Sequence, residues 1–122
     1  MARLVQLVDG VATNKFPLDD ERITIGRGPN NTIVIDDLSV SASHAVIERV
    51  EEGDSVEFRA RDLDSTNGTF VNEVPITNRR LHNRDVLRIG WSHFEFIDEN
   101  AALERTAKIR KTWIPGVFVG KK

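Results

Sequence analysis

The strongest constraint on the fold is a period of two that persists through the first 98 residues. Ile23 and Ile25 flank Thr24; Val56, Phe58 and Ala60 alternate with Glu57, Arg59 and Arg61; Phe94 and Phe96 alternate with His93 and Glu95. In extended chain, successive side chains point to opposite faces, so each run reads as a strand with one buried and one wet face. Turn-forming residues separate the runs, at Asp19-Asp20-Glu21, Gly28-Pro29-Asn30-Asn31, Glu51-Glu52-Gly53-Asp54, Asn67-Gly68 and His82-Asn83-Arg84-Asp85. Asn67-Gly68 reads as a hairpin tip, because both residues tolerate positive φ. About ten or eleven short strands, with no convincing helix between them, predict an all-β, antiparallel two-sheet sandwich.

The 122 residues suffice for one modest core without metals or crosslinks. The absence of cysteine excludes disulfides, thiolate metal sites and thiol nucleophiles, and fits a reducing cytoplasm. No apolar run approaches the roughly 20 residues of a membrane helix. Met1-Ala2-Arg3-Leu4-Val5 enters the alternation directly, without the apolar stretch of a leader. The expectation is a cytoplasmic protein with no membrane contact. His82 and His93 have no partners at metal-ligand spacing, and neither a metal nor another cofactor is expected.

Charge divides the chain in two. Residues 1–98 hold 11 Lys/Arg against 17 Asp/Glu, whereas residues 99–122 hold 6 against 2. An acidic domain suits nucleic acid poorly, since basic contacts to phosphate dominate that affinity. Beyond Asp98 the alternation stops. Glu99–Lys111 has helix-compatible composition with weak apolar periodicity, sufficient for one to three turns. An apolar stretch broken by Pro115-Gly116 follows it.

Three motifs rise above this background. Ile23-Thr24-Ile25 ends in Gly26-Arg27; Ser41-Ala42-Ser43-His44 enters a strand; and Ser65-Thr66-Asn67-Gly68-Thr69-Phe70-Val71-Asn72 places polar side chains on a turn that needs none. In this order and spacing, from about Leu4 to Asp98, the chain resembles a forkhead-associated (FHA) domain, and Arg84-Asp85-Val86-Leu87-Arg88-Ile89-Gly90 fits too. The resemblance implies a two-sheet sandwich, residues 1–98, with binding loops at one end and residues 99–122 as an extension. It also implies recognition of phosphothreonine in partner proteins, as an adaptor in Ser/Thr kinase signalling.

The residue chemistry suits that ligand. A phosphothreonine carries about −1.5 to −2 charge and three acceptor oxygens. Arg27 offers a planar guanidinium, Ser41, Ser43 and Thr66 offer hydroxyls, and the amides near Ala42 and Ser43 add donors. The resemblance assigns Asn67 to the ligand backbone and His44 to bracing loops. Gly26 and Gly68 read as architectural, for close approach and left-handed geometry respectively. An odd offset in extended chain would turn His44 inward if Ser41 faces the ligand. Two positions depart from the family pattern. Ala42 stands where FHA domains often carry Arg, Lys or Asn, and Glu73 where they often carry Gly. The resemblance further implies discrimination three residues beyond the phosphothreonine, near Ser39 and Asn67, without fixing what is chosen.

Catalysis is not expected. There is no Gly-x-Ser-x-Gly elbow, no Gly-Lys-Ser/Thr follows Gly26-Arg27-Gly28, and Asp19-Asp20 and Asp36-Asp37 fall in turns. The alternative, favoured by Ala42, is an FHA-fold structural or homotypic interaction domain with weak or no phosphopeptide binding. Taken singly, Arg27 is an ordinary surface arginine and Ser41 a loop hydroxyl. Thr106 and Thr112 lie in the basic tail, and Thr112 is fourteen residues past Asp98, up to about 46 Å if extended. A phosphorylated tail threonine could thus reach its own site or a neighbour's, giving self-interaction.

Overall fold

The computed structural model describes residues 2–99. Eleven strands follow in order: β1 (Ala2–Val8), β2 (Val11–Pro17), β3 (Arg22–Gly26), β4 (Ile33–Val34), β5 (Ala45–Glu52), β6 (Ser55–Asp62), β7 (Thr69–Val71), β8 (Val74–Pro75), β9 (Asn78–Leu81), β10 (Val86–Ile89) and β11 (Ser92–Asp98). They form two sheets, ordered β2-β1-β11-β10-β7-β8 and β4-β3-β5-β6-β9. Except for Glu99, the tail of residues 99–122, with its expected helical turns and apolar stretch, lies outside the described residues.

Alternation builds the core. Leu4, Phe94, Phe96, Leu87, Ile89 and Val71 face inward from one sheet and meet Ile23, Ile25, Ile47, Phe58 and Ala60 of the other. Phe58 and Phe96 join the layers directly, with tilted rings 5.5 Å apart. Burying such a side chain contributes about 1.5–3 kcal/mol. One outward row of the second sheet is charged. Arg22, Glu48, Arg59 and Arg80 line up across β3, β5, β6 and β9.

Two local expectations need correction. The second sheet is not wholly antiparallel, because β4 runs parallel to β3. The chain after Gly26 folds back until the Thr32 amide reaches Thr24 Oγ1 at 2.9 Å, then restarts in the direction of β3. Two residues are too few to carry a period. Asn67-Gly68, moreover, is not a hairpin tip. β6 belongs to one sheet and β7 to the other, so residues 63–68 cross between layers. Gly68 has φ +86°, whereas Asn67 is not in the left-handed region. The two-residue hairpins with paired positive φ are Asp9-Gly10 (53° and 79°) and Asn72-Glu73 (50° and 66°). That pairing is the twist-matched turn of β-hairpins.

Gly90, between β10 and β11, has φ +58°, and a Cβ there would stand 2.5 Å from the Ser39 carbonyl oxygen. Left-handed strain and overpacking together predict that Gly90→Ala lowers unfolding free energy by about 3 kcal/mol, read from denaturant midpoints. A loss below about 1 kcal/mol would mean that Ser39 simply withdraws.

Candidate functional site

Four connections meet at one end of the sandwich: the loop after β3, the loop before β5, the crossing from β6 to β7, and the β10–β11 turn. Backbone bonds lock them together. The Arg27 and Gly28 amides donate to the Ser41 and Ala42 carbonyls at 2.9 and 3.1 Å, and Gly90 N–H reaches Gly68 O at 3.2 Å. The first pair requires glycine at 26, since any Cβ would collide with the Ala42 carbonyl.

His44 is fully buried beneath this end. Its Nδ1 accepts from the Ser41 amide at 3.0 Å, so Nε2 carries the hydrogen and donates to Gly68 O at 2.8 Å. One ring therefore fixes the spacing of the Ser41 loop and the Thr66-Asn67 crossing. The physical reason differs from simple alternation. Residues 41–44 form a bend rather than extended chain, and the imidazole folds back onto the amide three residues earlier. Because Nδ1 meets the Ser41 amide and not its hydroxyl, the two residues do not form a nucleophile–base pair.

The other residues singled out from sequence gather above that ring. Ser41 Oγ accepts from the Thr66 amide at 3.0 Å, which leaves its own hydrogen to donate outward. Arg27 is exposed, its Nε donates to the Val40 carbonyl at 3.0 Å, and among the described residues it has no carboxylate partner. Its terminal nitrogens stay available. Asn67 donates through Nδ2 to Ser39 O at 2.8 Å, so its amide oxygen is left to accept. Thr66 and Ser43 are exposed. Their hydroxyls, like the Ala42 and Ser43 amides, have no hydrogen-bond partner among the described residues. Ser43 shares the Ser41 loop without bonding to Arg27 or Thr66. Donors uncommitted among the described residues, around a guanidinium with no carboxylate partner there, are the chemistry that a compact anion requires.

Several supporting residues were not singled out from sequence. Asn31 donates through Nδ2 to the Gly28 and Ala42 carbonyls at 2.8 and 2.7 Å, clamping the corner beside Arg27. Asp62 accepts from the Ser65 hydroxyl and amide and from Thr69 Oγ1, while Ser65 Oγ takes the Gly68 amide. This shapes the crossing. Asp37 accepts from the amide and hydroxyl of Ser39 and from the Ser92 hydroxyl. Asp62-x-x-Ser65 and Asp37-x-Ser39 are local side chain-to-amide spacings, a signal that could have been read.

Comparison with known proteins places this geometry. The FHA domain profile matches residues 23–90. Glycogen accumulation regulator GarA of Mycolicibacterium smegmatis is 38% identical over 86 residues, 70% of this chain and 52% of that protein. The oxoglutarate dehydrogenase inhibitor of Corynebacterium efficiens is 39% identical over 88 residues, 72% of this chain and 59% of its own. The chain thus spans little more than half the length of these curated relatives. A solved structure from work on phosphothreonine-dependent FHA domain interactions superposes with a TM-score of 0.69 at 31% identity, covering 81% of this chain and 98% of that one.

Burial disfavours ionisation of Asp62, yet the hydrogen bonds from Ser65 and Thr69 outweigh it and hold the carboxyl below its usual range. A lowered native pKa contributes stability above the unfolded value, near 3.9, that is lost as pH falls through the native one. Melting temperatures of the wild type and Asp62→Asn should therefore differ most near neutrality and converge in acid. A gap that does not change with pH would contradict this role.

Proposed function

The chain belongs to the FHA domain family, and on that premise we propose that residues 1–98 bind phosphothreonine in partner proteins, acting as an adaptor for Ser/Thr kinase signalling. The observation that carries the proposal is the convergence of exposed Arg27 with the Ser41 hydroxyl, the Thr66 hydroxyl and the Ala42 and Ser43 amides, where among the described residues Arg27 has no carboxylate partner and the two amides no acceptor. The regulatory names of the relatives and the phosphothreonine-dependent interactions of the solved FHA domain support it.

The geometry supports a role for each residue. Arg27 supplies the permanent cation, contacting two phosphate oxygens in a fork. Ser41 and Thr66 donate hydroxyl hydrogens, with Ser43 completing the rim. Asn67, anchored through its nitrogen, presents its oxygen to a backbone amide of the extended ligand. Gly26, His44 and Gly68 hold these groups in place and do not touch ligand. Charge-assisted hydrogen bonds contribute about 1.5–3 kcal/mol each. Three or four, less the ordering cost, give an affinity near micromolar, about −8 kcal/mol. Binding rather than catalysis is the activity, in a reducing cytoplasmic setting. No helix among the described residues is long and apolar enough to cross a membrane. Residues 99–122 are assigned to a separate basic tail, and self-interaction through phosphorylated Thr106 or Thr112 would use the same receptor.

Two substitutions test the site in opposite directions. Arg27→Ala should weaken a phosphothreonine peptide at least about tenfold by calorimetry, since a charged hydrogen bond is lost. Equal binding of the phosphorylated and unphosphorylated peptide by wild type would end the proposal. Ala42→Arg, on an exposed loop position, restores a cation common in the family. It should tighten binding by about three- to tenfold, with a steeper dependence on salt. Unchanged affinity would mean that the ligand does not pass over this loop.

A further inference from the structure

Among the asparagines of the chain, only Asn67 is followed by glycine. That dipeptide is chemically labile, because glycine has no Cβ to keep its amide nitrogen away from the preceding carboxamide carbon. Asn67 is also exposed, so water reaches it freely. The reaction is a loss of ammonia. Gly68 N attacks Asn67 Cγ and forms the new N–Cγ bond of a cyclic imide. The Cγ–Nδ2 bond breaks, and Nδ2 leaves as ammonia with the proton that Gly68 N has given up. Water then adds to one imide carbonyl and reopens the ring at nitrogen, leaving aspartate or isoaspartate. The balance consumes water, releases ammonia and needs nothing else.

Hydrogen bonds oppose the first step. Gly68 N–H donates to Ser65 Oγ at 3.0 Å, so the attacking nitrogen is held to its proton. Ser65 Oγ donates in turn to Asp62 Oδ1 at 2.5 Å. A hydroxyl polarised by a carboxylate is the stronger acceptor for it. Asn67 Nδ2 donates to Ser39 O at 2.8 Å, which fixes the carboxamide and its leaving group. Gly68 is anchored on its other side as well, since its carbonyl accepts from His44 Nε2 at 2.8 Å and from the Gly90 amide at 3.2 Å. Attack requires the Gly68 amide to release Ser65 and swing toward Cγ, and these anchors hold it away from that geometry.

We propose that Asn67 is a deamidation site whose rate is set by the Asp62–Ser65–Gly68 chain of hydrogen bonds, so that each opening of the 63–68 crossing exposes the receptor to its own conversion. The product loses the Nδ2 donor to Ser39 O and sets a carboxylate against that carbonyl. Isoaspartate also inserts a methylene into the backbone of the crossing. Either change works against an anion bound beside Arg27. That loss of binding rests on the phosphothreonine reading above, whereas the modification itself does not.

The test incubates the full chain at mildly alkaline pH, folded and in denaturant, and follows conversion at Asn67 by peptide mapping and mass spectrometry. Folded wild type should convert at least about tenfold more slowly than denatured chain, and folded Ser65→Ala about tenfold faster than folded wild type. Asp62→Asn keeps the Ser65 hydroxyl but weakens it as an acceptor. Its rate should fall between the two, and it decides the matter if Ser65→Ala does not fold. Equal rates in folded and denatured wild type, or the wild-type rate in every folded variant, overturn the proposal. Converted chain, separated by its added negative charge, should bind a synthetic phosphothreonine peptide at least about tenfold more weakly than unconverted chain. Undiminished binding would overturn the functional consequence. Failure of the underlying reading has a different signature: no phosphothreonine peptide would bind even unconverted chain better than its unphosphorylated form, while the conversion rates would still be decided by the hydrogen-bond chain.

Discussion

The imidazole of His44 is the interaction on which the ligand end depends. Its two nitrogens are committed in opposite senses, one accepting from the Ser41 amide and one donating to the Gly68 carbonyl. These groups belong to residues 27 positions apart in the chain. The ring cannot be exchanged for an apolar group of similar size without leaving a buried amide and a buried carbonyl unpaired, at about 1–3 kcal/mol each. Gly26, Asn31 and Asp62 work at the perimeter of the same bracket. Together they keep the loops close, while the terminal nitrogens of Arg27 and the hydroxyls of Thr66 and Ser43 have no bond among the described residues.

Much of this was legible in the chain. Alternation located the longer strands, since Ile23/Ile25, Phe58/Ala60 and Phe94/Phe96 are inward pairs, as their spacing implied. What escaped were features decided by partners distant in sequence. β4 has two residues and hence no period. Asn67-Gly68 carries the composition of a hairpin, but its flanking strands pair elsewhere, and the true two-residue turn at Asp9-Gly10 went unmarked. Of the candidate site, Arg27, Ser41, Thr66 and Asn67 come together as the motif order suggested. Asn31, Asp37 and Asp62 were hidden because a turn residue looks alike whether it meets water or two carbonyls.

The electrostatic design is economical. The described domain is acidic, yet its ligand end sets Arg27, which has no carboxylate partner among the described residues, beside directional neutral donors. Diffuse attraction for polyanions is thereby suppressed by the surrounding charge, and recognition falls to short-range geometry. Most other arginines among the described residues have a carboxylate neighbour, with Arg79 an exception: Glu48 holds Arg22 and Arg61, Glu57 holds Arg59 and Arg80, and Glu73 holds Arg88. Exposed pairs of this kind add little stability individually. Here they mask cations that would otherwise compete with Arg27.

The route of residues 63–68 has a mechanical consequence. Because that stretch passes from one layer to the other, a molecule gripped by both it and the Ser41 loop would act as a clasp across the open mouth of the two sheets. Occupancy at a hundredfold excess over the dissociation constant adds about 2.7 kcal/mol against unfolding. That protection would be shared by strands as remote as β2 and β9, which never meet the guest.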